Sequence, residues 1–313
     1  MSPPKAPFPY TGGKSMIADT VWKALGGVTT YVEPFAGSCA VLLARPQPFT
    51  GLEIINDANG YVANCWRAIQ QHPAQVADHA NWPPNENDLH ARHRWLWERR
   101  DQLQAQLESD PDWCDIKIAG WWLWGMANFF TGAFCVRERP NRCKLLCDSN
   151  RGITGTTSDP HQWMQELQDR MRRVKVLCGD FKRALTPSVV NPNGGNSGVF
   201  LDPPYDGGDT RVYGLDSASI FQETLDWALA NASPTVRVVL AGYDSRPMPE
   251  GWREPAWKGH GGHGRRKDNK ENTNQDRERL WLSPSCLNPD SESSTSPPTG
   301  CPSSSAARPS RPP

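Results

Sequence analysis

The segment Asp202-Pro203-Pro204-Tyr205 directly follows three apolar residues, Val199-Phe200-Leu201. Those three read as a short strand, and two prolines cannot extend a sheet, so the strand must end at Asp202. In an open parallel sheet, ligands sit outside the carboxyl ends of the strands. A carboxylate, proline carbonyls and a phenol ring pushed into such a cleft are what an amino group on an aromatic base requires. The acid or a carbonyl accepts from the N–H groups, and the ring stacks on the base. The plainer reading is a proline-containing turn with an aspartate cap, and four residues alone do not separate the two.

Three further patterns bear on the choice. Val32-Glu33-Pro34-Phe35-Ala36-Gly37-Ser38 places an acid at a strand end and then a small-residue turn into a helix. Such a turn suits a nucleotide, because Gly37 lets a ligand approach the backbone and the helix start offers N–H groups, Ser38 among them. Asp57 ends the next apolar run. Its distance from Glu33 resembles that of the acid that holds ribose hydroxyls in such folds, although a lone aspartate after a strand is more often a turn residue. Tyr10-Thr11-Gly12-Gly13-Lys14 offers paired glycines for close approach to a ligand carboxylate, with Lys14 adding positive charge. The full dinucleotide glycine fingerprint is absent, which disfavours a nucleotide-dependent oxidoreductase, and the phosphate-binding P-loop pattern is not met.

These residues need a scaffold, and residues 1–60 supply an α/β pattern. A glycine loop leads to a helix over Ser15–Leu25. A strand follows at Thr29–Val32, then a helix over Cys39–Leu43 and a strand over Leu52–Ile55. Residues 174–287 return to the same pattern, with strands at Val174–Leu177, Val199–Leu201, Val236–Leu240 and Leu280–Leu282 and a helix over Ser219–Asn231. Between them, residues 61–173 are rich in Trp, Arg and His and read as mostly helical, including one helix over Ala91–Leu107. The expectation is one doubly wound α/β sheet of Rossmann-like type carrying an inserted helical region. Residues 288–313 are Ser/Pro-rich, with too little apolar surface to order.

Composition bounds the function classes. The 313 residues carry 34 basic and 34 acidic side chains, which argues against a histone-like coating protein while leaving a local basic groove open. Basic clusters at Arg92–Arg100, Arg137–Arg142, Arg170–Lys175 and Arg265–Lys270 are candidates for phosphate contact, or simply solvated faces. The tryptophan-rich stretch 121–130 reads as core of the insertion rather than a base-stacking platform. Nine cysteines at irregular spacing and no secretory signal suggest reduced thiols in a cytoplasmic protein. Cys135, Cys143 and Cys147, or His260 and His263, make poor metal sites for want of ligand partners. The longest apolar stretch, Ile116–Phe130, is too short to cross a membrane.

Taken in order, the four patterns resemble the Dam-like DNA adenine methyltransferases: a glycine-lysine motif, E-P-F-x-G-S, an acid, then D-P-P-Y. Cys178-Gly179-Asp180-Phe181 and residues 238–245 extend the likeness, and the stretches 119–125 and 279–284 look like a phage or prophage branch. Cys39 departs from it, standing where relatives often carry glycine. The resemblance implies S-adenosyl-L-methionine as methyl donor, held by Tyr10, Gly12, Gly13, Lys14, Glu33, Phe35, Gly37, Ser38, Asp57, Asp180, Phe181 and Asp202. It implies catalysis by Asp202, Pro203, Pro204 and Tyr205, with no metal. The partner would be double-stranded DNA read by residues 61–173, with no membrane and no obligatory protein partner. The setting would be restriction–modification in a bacterial or phage-infected cytoplasm. Alternatives are methylation at N4 of cytosine, for which relatives more often carry Ser in place of this Asp, and a catalytically silent DNA-binding relative.

Overall fold

The computed structural model describes the chain apart from residues 1–2, 11, 130–133, 137–158, 205–216, 244–247, 256–277 and 290–313. Tyr205, the basic clusters 137–142 and 265–270, Cys143, Cys147, His260, His263 and nearly all of the tail therefore lie outside the described residues.

Six strands form one sheet: β1 (Thr30–Glu33), β2 (Leu52–Asp57), β3 (Val174–Cys178), β4 (Ser197–Leu201), β5 (Val236–Tyr243) and β6 (Glu278–Leu282). Their order is β3-β2-β1-β4-β5-β6, all parallel except β6, which runs antiparallel to β5. The chain steps outward from β1 to β3, then returns to lay β4 on the other side of β1. The order therefore reverses between β1 and β4, and a doubly wound sheet opens a ligand cleft at such a point. β1 and β4 are buried along their whole length, as central strands covered on both faces must be. β3, at the edge, alternates, with Lys175 exposed to solvent.

Strand periodicity sorts the side chains into two cores. Tyr31, Ile55, Phe200, Val239, Ala241, Leu280 and Leu282 face one layer of helices. Val32, Ile54, Val199, Leu201, Val238, Leu240 and Trp281 face the other. The first layer comprises α1 (Ala18–Leu25), α2 (Ala40–Leu43), α3 (Gly60–Gln71), α4 (Pro73–Ala80), α5 (Glu86–Trp97), α6 (Arg100–Ser109), α7 (Ile116–Asn128) and α8 (Pro160–Met171). The second comprises a 3-10 turn (Phe181–Ala184), α9 (Pro187–Val190) and α10 (Ser217–Asn231). Several starts follow the capping chemistry: Asn59, Asn85, Asp115 and Asp159 each accept a hydrogen bond from an N–H of the first turn.

Residues 61–173 share the first core with the sheet. Arg67 of α3 donates to the carbonyls of Val176, Leu107, Asp110 and Trp113, tying β3 to α6 and to the loop before α7. A buried network does the same for α8. Glu53 of β2 receives Arg45 at 3.3 Å and Arg170 at 2.7 Å, while Arg45 also donates to the Val28 carbonyl.

Two expectations are corrected. The single helix over 91–107 is two helices broken at Glu98-Arg99, because α5 packs on α7 whereas α6 packs on α3 and β3. The cluster Arg92–Arg100 is not a free basic face. Arg92 is buried over the Trp124 ring, Arg99 covers Trp95 and Arg100 covers Trp97. Trp122 and Trp124 are fully buried, as a packing role for that stretch requires. No described helix is long and apolar enough to cross a membrane.

Candidate active site

The dipeptide Asn56-Asp57, at the carboxyl end of β2, holds the two loops on either side of it. The Asn56 carbonyl accepts from Ala36 N–H at 2.9 Å. Its carboxamide nitrogen donates to the carbonyls of Pro34 and Gly179, at 3.1 and 3.0 Å. Asp57 accepts from Gly37 N–H and Asn59 N–H, both at 2.8 Å, and its carbonyl accepts from Gly179 N–H. The E-P-F-A-G-S turn and the C-G-D-F loop are thus fixed to one another through β2. Gly37 is held at φ 45° with the Tyr10 ring against it, and a Cβ there would lie 2.7 Å from ring carbons. Both the left-handed backbone and the close approach require glycine. Cys39, two residues on, adopts φ 54° with a side chain.

Between these loops and α10 lies an open cleft. Pro34, Phe35, Asn56, Asp57, Ala58, Asp180, Phe181, Lys182, Pro204, Ser219, Ile220 and Glu223 line it. Phe35 and Phe181 stack with ring centroids 5.2 Å apart, forming an aromatic wall. Asp180 starts the 3-10 turn by accepting from Lys182 N–H and keeps its carboxylate exposed. Lys182 reaches across the mouth to Glu223 of α10, at 2.6 Å. Asn56 Oδ1 is buried with no hydrogen-bond partner, an acceptor held in reserve in the cleft wall.

Of the residues singled out from sequence, Phe35, Asp57, Asp180, Phe181 and Pro204 line this cleft. Tyr10, Gly12, Gly13, Lys14, Glu33, Gly37, Ser38 and Asp202 lie outside its lining, and several of them gather on the opposite side of the strand ends. There Lys14, nearly buried, is 3.1 Å from the Asp202 carboxylate and donates to the Gly12 carbonyl at 2.7 Å. Two motifs almost 190 residues apart are thereby brought into contact. Glu33 is buried and accepts from the Tyr31 hydroxyl at 3.0 Å. Burial pushes its carboxyl up to about 8, and burial likewise pushes Asp57 up to about 6. Both carboxyls thus hold a proton to higher pH than a solvated acid does.

Sequence reading missed Asn56, Lys182, Ser219, Ile220 and Glu223. Asn56 and Lys182 neighbour Asp57 and Phe181 and carry no pattern of their own. The α10 residues reach the cleft only because the helix packs across the second face of the sheet, against β5. Among the described residues no cluster of His, Cys, Asp or Glu could hold a metal ion.

Residues 10–109 match the family of D12 class N6 adenine-specific DNA methyltransferases. The chain is also similar to a Type II methyltransferase, M.MjaIII, of Methanocaldococcus jannaschii. The two are 23% identical over 206 residues, covering 63% of this chain and 67% of that protein. The matched span carries the glycine-lysine loop, the E-P-F-A-G-S turn and Asp57, and D-P-P lies at the switch point of the same sheet edge. Over residues 10–109 the chain is therefore similar to the D12 class of N6 adenine-specific DNA methyltransferases.

Proposed function

We propose that the chain takes its methyl group from S-adenosyl-L-methionine, that the cleft beside Asn56-Asp57 receives the nucleoside part of that donor, and that Asp202, Pro203, Pro204 and Tyr205 act on an adenine extruded from double-stranded DNA. The observation that carries this reading is the cleft itself. Its stacked Phe35–Phe181 wall, the exposed Asp180 carboxylate and the unpartnered Asn56 Oδ1 suit an aromatic base and the donors of a nucleoside. When bound, S-adenosylmethionine supplies an electrophilic methyl on sulfonium.

The protein's own contribution is position and acceptors. The N6 lone pair of adenine is conjugated with the ring and is a poor nucleophile. Acceptors at Asp202 and the Pro203 carbonyl hold the two N–H groups and favour a tetrahedral nitrogen as the new bond forms. Such hydrogen bonds raise the rate because they are better in the transition state than before it. The aromatic face of Tyr205 stacks on the extruded ring and offsets part of the cost of unstacking. The segment 61–173 selects the target sequence. Arg94, Arg172, Arg173 and Lys175 are exposed and available to phosphates, whereas Arg92 and Arg170 are committed to internal contacts.

Calorimetric titration of the protein with S-adenosylmethionine, without DNA, tests the first part. One site per chain is expected. No heat and no thermal shift at millimolar donor would refute it.

A further inference from the structure

Asn56 carries a polar atom that the fold itself does not use. The carbonyl oxygens of Pro34 and Gly179 lie 3.1 and 3.0 Å from one end of its carboxamide, which identifies that end as the NH2 and commits both of its hydrogens. The remaining atom, Oδ1, is buried without a hydrogen-bond partner, in a residue that is 1% exposed. A buried acceptor left unpaired is costly, and nearly all such groups in folded proteins find a donor.

Strand geometry gives the side of the sheet from which that donor comes. Ile54 faces the second core and Ile55 the first, so along β2 Asn56 turns to the second face and Asp57 to the first. Their partners in β3 agree: Leu177, opposite Asn56, packs on the second core, and Cys178, opposite Asp57, lies in the first. Phe35, Phe181 and Ile220, which line the cleft together with Asn56, also belong to the second face. Asp57 is turned the other way and accepts from the Gly37 N–H. The orphan acceptor therefore sits on the side of the stacked phenylalanine rings, away from the Gly37 turn.

In the proposed function those rings receive the base of the methyl donor. An adenine joined to ribose has a single hydrogen-donating group, its exocyclic amino group, because its unsubstituted ring nitrogens only accept. We infer that Asn56 Oδ1 takes a hydrogen bond from the amino group of the methyl donor's adenine, which makes Asn56 a specificity residue for an aminopurine nucleoside. A purine with hydrogen in that position offers no donor, and an oxo-purine presents an oxygen where the amino group stood. The amino group carries two hydrogens, so Asp180, whose exposed carboxylate also lines the cleft, can take the second without displacing Asn56. The inference rests on the reading of the cleft as the donor's nucleoside site.

Changing Asn56 would also release the loops held through Pro34 and Gly179, so the test changes the ligand instead. S-adenosylhomocysteine, which keeps the donor's nucleoside, is titrated calorimetrically into the protein, beside its analogue with hydrogen in place of the adenine amino group. The analogue should bind about 10-fold more weakly, as a buried acceptor is left unpaired, in the parent and in Asp180→Ala alike. A difference under about threefold in the parent overturns the inference. A difference that holds in the parent but falls under about threefold in Asp180→Ala assigns the amino group to Asp180 and overturns it too. A crystal structure of the S-adenosylhomocysteine complex gives a second reading. The amino nitrogen is expected within hydrogen-bond distance of Asn56 Oδ1, and a water molecule there in its place refutes the assignment. If S-adenosylhomocysteine does not bind the parent at all, the nucleoside site itself has failed and the inference with it, whereas equal binding of the two ligands removes the inference alone.

Discussion

Replacing Asp57 by Asn separates the two things this carboxylate does. Asp57 accepts two backbone N–H bonds, from Gly37 and Asn59, and is 4% exposed. Burial pushes its carboxyl from 3.8 up to about 6. At about 1.4 kcal/mol per pH unit, holding it ionised in the folded state costs roughly 3 kcal/mol relative to the unfolded chain. The amide keeps one acceptor oxygen and turns an NH2 toward the other N–H, losing one charge-assisted bond worth about 1.5–3 kcal/mol. The loss and the relief nearly cancel above pH 7, so stability of Asp57→Asn there should lie within about 2 kcal/mol of the parent. The pH dependence should differ more. A carboxyl raised on folding contributes stability present below its unfolded value and lost as pH rises through its folded value, here between about 4 and 6. Asp57→Asn removes that loss, so the variant compares worst with the parent at pH 4 and best at pH 7.5. Urea unfolding at the two pH values measures this, and donor titration at pH 7.5 should show at least about a 10-fold weaker complex, as a buried hydroxyl pair loses its acceptor. Destabilisation beyond about 4 kcal/mol at pH 7.5, with unchanged donor affinity and the parent's pH slope, would refute the reasoning.

Two other changes probe the scaffold. Glu53→Ala leaves Arg45 and Arg170 buried without their shared carboxylate and should cost about 3–5 kcal/mol in urea unfolding. Cys39 sits at φ 54°, so Cys39→Gly should be within about 1 kcal/mol of the parent, as relief of the left-handed backbone offsets lost packing. Cys39→Val, β-branched at positive φ, should lower the melting temperature clearly.

Much of the sheet was legible because its punctuation is local. Pro203 and Pro204 end β4 after Leu201, and the Gly37 turn ends β1, as their backbone constraints demand. The pairing of Lys14 with Asp202 was not legible, since no spacing rule links residues that far apart. Nor was the break between α5 and α6. Leu89, Leu96, Leu103 and Leu107 keep a helical spacing across it, and only their different packing partners separate the two helices. Asp57 was readable as a ligand group or a turn residue, and its geometry shows a turn carboxylate that also walls the cleft. The burial of Glu33 was not legible either, since it depends on the packing around Tyr31 and α2 rather than on its own motif.

The central claim is tested most directly by nucleoside analysis after tritiated methyl transfer to DNA, for the parent and for Asp202→Ala. The account predicts label in N6-methyladenine from the parent and none from the variant, with DNA binding largely kept. Label in N4-methylcytosine, or the parent's rate from Asp202→Ala, would contradict it.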